Sequence, residues 1–214
     1  MNNIHFISGI DTDAGKTAAT GWLARKWIRG GVRTVTQKLV QTGNTGVSED
    51  ILCHRKIMGC ELLPEDHAGL TAPEIYTYPA SPHLAAALDK RPLDIAKIDS
   101  ATRALSERFD AVLLEGAGGL MVPLTEDLLT IDFVCERNYP VIFVTSAKLG
   151  SINHTLLALE ALKTRGMKLE TLLFNSFPDP GEPIRSSTEA YIRRAVARDW
   201  PDARFEIVPL LDIG

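Results

Sequence analysis

Short aliphatic and β-branched runs alternate along this chain with longer segments in which apolar residues recur at spacings of three and four. The short runs, residues 4–8, 34–38, 111–115, 141–145, 171–174 and 206–208, predict strands. The longer segments, 16–29, 49–58, 83–88, 95–107, 131–136, 153–165 and 188–197, predict helices. Such alternation is the pattern of a mostly parallel sheet with helices on both faces, so an α/β doubly wound fold is expected. Gly30-Gly31 and Gly166 directly follow periodic segments and read as helix stops. Residues 59–82 are richer in Pro, Thr and Tyr and lack a clear period. They read either as a surface excursion that contributes to a substrate pocket or as an ordinary long connection.

Composition narrows the picture. With 214 residues, 45% hydrophobic and 23% charged, the chain can fill one core, and a single domain over 1–214 is expected. A net charge of −4 leaves no basic excess for a nucleic-acid backbone, so nucleic acid is not an expected partner. No apolar run approaches the eighteen or so residues that cross a bilayer, and the first residues lack the basic and apolar regions of a signal peptide. Cys53, Cys60 and Cys135 are odd in number and lack C-x-x-C spacing. They read as small apolar fillers on helices, in a chain expected in the reducing cytoplasm.

The first strand runs straight into G-I-D-T-D-A-G-K-T, Gly9 to Thr17, and then into a helix. Strand, glycine loop and helix form the context in which backbone N–H groups and the positive helix end cradle phosphate. Lys16 is placed to neutralise the β and γ phosphates of a triphosphate, and Thr17 to offer its hydroxyl to Mg²⁺. The loop is one residue longer than G-x-x-x-x-G-K-[ST], since five residues separate Gly9 from Gly15. On this motif alone, a plain strand-to-helix turn is the alternative.

Three further strand ends carry chemistry. A-V-L-L-E-G-A-G-G places Glu115 at the carboxyl end of an apolar strand, where ligands of open α/β sheets bind. There it can face Thr17 across a Mg²⁺ ion; capping the following turn is the plainer role. Lys38 ends the second strand and can hold an anionic intermediate beside the same crevice, or lie on the surface. Asp50 stands where Ser48, Glu49 or Asp50 itself is expected to cap a helix. Residues 141–154 enter a helix whose first turn, Gly150, Ser151 and Asn153, can offer free N–H groups to a carboxylate, with Ser151 as N-cap.

Taken in order, G-I-D-T-D-A-G-K-T, K-L-V-Q-T-G, S-P-H at residues 81–83, L-L-E-G-A-G-G and K-L-G-S-I-N-H resemble the motif set of dethiobiotin synthetases. The loop of that family reads G-T-D-T-x-x-G-K-T, with the same extra residue. The resemblance implies a single-domain P-loop NTPase-like fold and conversion of 7,8-diaminopelargonate, CO2 and ATP to dethiobiotin, ADP and phosphate. By the same resemblance Lys16 and Lys38 are catalytic, and Thr17, Asp50 and Glu115 bind Mg²⁺. Asp13, Ala14, Gly15, Lys16 and Thr17 are expected on the phosphates, with Glu115, Gly116, Ala117 and Gly118 along the nucleotide. Asn175, Ser176, Pro209, Leu210 and Leu211 are expected around adenine. Thr12 and Thr42 fall to the diamine and carbamate. The family is homodimeric, with the substrate carboxylate held across the subunit interface by the partner's Gly150, Ser151 and Asn153 region, joined by Tyr191.

Two positions depart from the family pattern. Ile10 stands where threonine is usual, and Leu39 where proline follows the lysine; loss of that proline is expected to relax the backbone that aims Lys38, with a modest effect on turnover. Two rival readings are a switch or partitioning ATPase, which usually carries an additional lysine near the loop start, and a small-molecule kinase. The latter needs a mobile arginine-rich lid, whereas Arg185, Arg193, Arg194 and Arg198 read as a solvated helix face.

Overall fold

The computed structural model of the chain describes residues 3–211. A six-stranded sheet has the order β2-β5-β1-β6-β7-β8, built from Thr34–Lys38 (β2), Ala111–Gly119 (β5), Ile4–Gly9 (β1), Val141–Ser146 (β6), Leu169–Asn175 (β7) and Arg204–Val208 (β8). Every neighbouring pair in it is parallel. The helices are α1 (Lys16–Arg29), α2 (Glu49–Met58), α3 (Pro64–His67), α4 (Pro82–Leu88), α5 (Ile95–Ser106), α6 (Thr130–Glu136), α7 (Ser151–Thr164) and α8 (Ile184–Asp199). The chain leaves β1 toward β2 on one side and later returns to β6 on the other. The switch point, and with it the crevice at the strand ends, therefore falls at β1.

Successive strand residues face opposite sides, so a sheet covered twice must be apolar at consecutive positions. Ile7 and Leu113 pack with Ala19, Leu23 and Ala24 of α1, while Phe6, Val112 and Leu114 pack with Ile98 and Leu105 of α5, Phe133 of α6, Leu159 of α7 and Ile192 of α8. Gly21 lets α1 approach α2, because a Cβ there would lie 3.0 Å from Ile57. Gly31 (φ 87°) and Gly166 (φ 64°) take the left-handed conformation expected of helix stops.

Residues 59–82 are more ordered than their composition suggested. They contain α3 and, with β3 (Gln41–Thr42), pair a two-residue strand β4 (Ile75–Tyr76). Lys38 N–H donates to Thr71 O at 2.7 Å and Gln37 Nε2 to Leu70 O at 3.1 Å, so the segment covers the outer edge of β2. A buried Arg55–Asp66 pair, with Arg55 Nε and Nη2 each donating at 2.8 Å, ties the segment to α2.

One expectation needs correction. Cys60 is exposed beyond the end of α2 rather than filling a helix, although Cys53 and Cys135 do lie on helices, and all three thiols are free. At the position where proline is usual, Leu39 N–H donates to Glu115 O at 2.8 Å, a bond that proline cannot make, and its side chain is fully buried. Leu39→Pro would remove that donor and its core packing together. We expect a loss of about 2–4 kcal/mol in stability, read as a lower denaturant midpoint, with no gain in turnover. Ile10 is equally well placed, donating its N–H to Val144 O at 3.0 Å and packing its side chain on the core.

Candidate active site

The crevice at the switch point opens into a cavity of about 960 Å³. Its floor is the Gly9–Thr17 loop. Gly15 is the N-cap of α1 at φ 85°, and a Cβ there would sit 2.1 Å from Asn175 Nδ2, so only glycine fits. No side chain caps α1 and no acid lies in its first turn, which leaves its N–H groups and positive end to an anion.

Parallel register sets Lys38 of β2 beside Glu115 of β5, and the α1–α2 face closes over them. Lys38 Nζ donates to Glu115 Oε1 at 2.9 Å and Gly116 O at 3.2 Å, and pairs with Asp50. Thr17 Oγ1 donates to Asp50 Oδ1 at 2.9 Å and lies 3.4 Å from Glu115 Oε1. Ser48, rather than Asp50, caps α2, accepting from Ile51 N–H at 3.2 Å, and Asp50 is thereby left to the site. Burial alone would raise the Glu115 carboxyl, but Lys38 and the His54 hydrogen bond hold it well below the usual carboxylate range. Burial likewise opposes the Lys38 charge, yet Glu115 and Asp50 prevail and raise its ammonium above the ordinary lysine value.

Lys16 differs. Its Nζ donates to Asp11 O at 2.9 Å, and burial, only partly offset by Glu115, pulls it down to about 8. A phosphate arriving at this loop restores the charge. ADP binding near pH 9 is therefore expected to take up a proton that binding at pH 7 does not. Calorimetry in buffers of different ionisation enthalpy reads this directly, and the uptake should vanish in Lys16→Met.

The cavity brings together most residues expected of it. Thr12, Asp13, Gly15, Lys16, Thr17, Lys38, Thr42, Asp50, Glu115, Ala117 and Gly118 line it, and Asn175, Pro209, Leu210 and Leu211 form one wall. Asn175 braces that wall, donating to Ala14 O at 3.1 Å and accepting from Phe177 N–H at 3.1 Å. Three expected residues do not line it: Ala14 and Gly116, which are buried, and Ser176, which donates its N–H to Val208 O at 3.3 Å. Gly150, Ser151, Asn153 and Tyr191 do not line the cavity of their own chain. Gly150, not Ser151, is the N-cap of α7; Ser151 N–H is used by Lys148 O at 3.0 Å, so this first turn offers fewer free donors than expected.

Pro79 to Pro82 line the cavity, as one of the two readings of residues 59–82 expected, whereas sequence reading missed Thr20 and His54, which bond Glu115 from behind at 2.6 and 3.0 Å, and Phe177 and Cys53 on the cavity wall. The available signal was spacing, Thr20 three positions after Thr17 and His54 four after Asp50, which sets each on the same helix face as a site residue.

Fold and site together define a nucleotide-binding α/β domain with a phosphate loop and a lysine-bound acid at the crevice. A family profile described as AAA domain matches residues 4–199, and the chain is 47% identical over 213 residues to the ATP-dependent dethiobiotin synthetase BioD 2 of Pasteurella multocida, covering 100% of each chain. The chain belongs to the family of ATP-dependent dethiobiotin synthetases. It is also 51% identical over 179 residues to the Haemophilus influenzae synthetase BioD 2 (84% of this chain, 94% of that one). Identity to the Chlorobaculum tepidum synthetase BioD is 48% over 208 residues (97% and 85%).

Among solved structures, a plasmid partition protein of Borrelia burgdorferi bound to AMPPNP aligns at a TM-score of 0.57 and 9% identity, over 98% of this chain and 87% of that one. The signal recognition particle receptor FtsY of Elizabethkingia anophelis aligns at 0.56 and 13%, with this chain spanning 60% of its length. At such identities the likeness concerns the fold alone. Among the described residues no helix is long and apolar enough to cross a membrane.

Proposed function

We propose that this chain makes dethiobiotin from 7,8-diaminopelargonate, CO2 and ATP, with Lys16, Lys38, Thr17, Asp50 and Glu115 as its reacting centre. The observation that carries the residue assignment is the convergence of two lysines, two carboxylates and a threonine hydroxyl on one cavity that also contains Thr12 and Thr42. ATP is the co-substrate. Mg²⁺ fits the donor set, because one hydroxyl and two carboxylates are hard oxygens that leave room for phosphate and water. Among the described residues no group of three or more His, Cys, Asp or Glu could hold a metal without such help. When bound, the ion neutralises charge on the β and γ phosphates.

In this reading one amine of the substrate captures CO2 as a carbamate near Thr12 and Thr42. A carbamate oxygen attacks the γ-phosphorus and expels ADP, giving a carbamic-phosphoric anhydride. The second amine then attacks the carbonyl carbon, the C–O bond breaks, and phosphate leaves with the oxygen that came from CO2. Lys38, fixed at 2.9 Å by Glu115, faces the developing anion, and Lys16 faces the transferring phosphoryl group. With ¹⁸O-labelled CO2, the released phosphate is expected to carry one label. Unlabelled phosphate, beside a product whose carbonyl keeps the label, would remove the anhydride from the pathway.

We further infer a homodimer in which Gly150, Ser151, Asn153 and Tyr191 of one copy hold the substrate carboxylate at the other copy's cavity. Support comes from their position outside their own cavity and from neighbouring exposed apolar residues, Leu149 at 82% and Leu157 at 64%. Mixing an inactive Lys38→Gln chain with an inactive Ser151→Trp chain is then expected to restore about a quarter of parental activity, since half the dimers carry one intact site of two. No restoration after subunit exchange would place the carboxylate within one chain.

A further inference from the structure

The two oxygens of Glu115 are held differently. Oε2 accepts from Thr20 at 2.6 Å and from His54 Nε2 at 3.0 Å. Oε1 accepts from Lys38 at 2.9 Å and lies 3.4 Å from the Thr17 hydroxyl that bonds Asp50. His54 is fully buried, where an aliphatic side chain is the ordinary occupant and an imidazole is costly without a partner. Its Nδ1 has no hydrogen-bond partner among the described residues, so the ring is kept for its Nε2 contact. An ionised carboxylate only accepts, and Nε2 therefore carries the hydrogen.

We propose that His54, together with Thr20, is a positioning residue that makes Glu115 a one-oxygen ligand and so selects Mg²⁺ over Ca²⁺ at the nucleotide site. Ca²⁺ takes six to eight oxygens and readily uses both oxygens of a carboxylate, whereas Mg²⁺ holds a tight octahedron of single oxygens. Glu115 can offer both oxygens only by giving up both hydrogen bonds at Oε2. Contacts of this kind behind a ligand fix its orientation and tune which ion it suits. The inference rests on the reading of Thr17, Asp50 and Glu115 as the ligands of the cation.

Calorimetric titration of ADP into the whole protein, in Mg²⁺, in Ca²⁺ and in chelator, tests it without turnover. In His54→Leu the Mg²⁺-linked affinity is expected to fall by about 10–100-fold, with Ca²⁺-linked affinity kept or improved and metal-free binding unchanged. His54→Gln, whose amide can still donate, is expected to stay close to the parent. An unchanged Mg²⁺-to-Ca²⁺ ratio in His54→Leu, or an equal fall in all three conditions, would overturn the proposal. Should His54→Leu fail to fold, Thr20→Val removes the other donor to Oε2, with Thr20→Ser as its control. A fall in the ratio for Val alone supports the proposal, and no fall overturns it. A parent protein that binds ADP equally in Mg²⁺ and in chelator would remove the ligand assignment itself, a result distinct from the loss of the His54 role.

Discussion

A Lys38→Gln variant is expected to lose at least about 10²–10³-fold in turnover while still binding ADP. The reason is geometric. Lys38 Nζ sits in the cavity, bonded to Glu115, Gly116 O and Asp50, so its charge is held in place before any substrate arrives. A fixed cation in a shielded site stabilises charge that develops during reaction far more than a mobile surface lysine would. Lys16, by contrast, is buried at the mouth of α1 and belongs to the phosphate-binding loop, so nucleotide affinity should survive loss of Lys38. Single-turnover kinetics separate the two: reduced turnover with retained ADP affinity supports the assignment, and parental turnover refutes it.

Glu115→Gln is expected to be the most damaging single change to stability. The carboxylate is fully buried and receives Lys38, His54 and Thr20. Neutralising it leaves the buried Lys38 with Asp50 as its remaining charged partner and sets an amide hydrogen against one of these donors. Breaking a buried pair from one side costs about 3–5 kcal/mol, or roughly 6–20 °C in melting temperature for a chain of this size. The pH dependence has a definite sign. Because the folded carboxyl lies below its unfolded value, the stabilisation is complete above about pH 4.3 and is lost as pH falls further. The gap between parent and variant should therefore narrow in acid. A constant gap down to the acid transition would show that Glu115 does not act through its charge.

Much of this site was legible because its parts are local. The loop Gly9 to Thr17 joins a strand and a helix, and the bounds of α1 and α2 follow from apolar spacing and their glycine stops. Glu115 was visible as an acid ending an apolar strand. Thr17 and Lys38 could be set beside it, but Thr20 and His54 could not, because their helices meet β5 only in three dimensions, His54 across 61 positions. The strands β3 and β4 are two residues each, too short for any period to register. The hydrogen bond that Leu39 N–H donates was hidden for a similar reason, since its acceptor, Glu115 O, lies far along the chain. Where a residue's role is set by its own segment the sequence reveals it, and where the sheet order sets it the sequence does not.

On the proposed mechanism, ATP cleavage is coupled to ring closure. The most direct measurement is phosphate release by the purified chain with Mg²⁺ and bicarbonate, with and without 7,8-diaminopelargonate, while the diamine is followed by mass. We predict phosphate release that depends on the diamine and matches, mole for mole, a product in which one carbonyl has replaced two amine hydrogens. Hydrolysis that proceeds equally without the diamine, and yields no such product, would contradict the account.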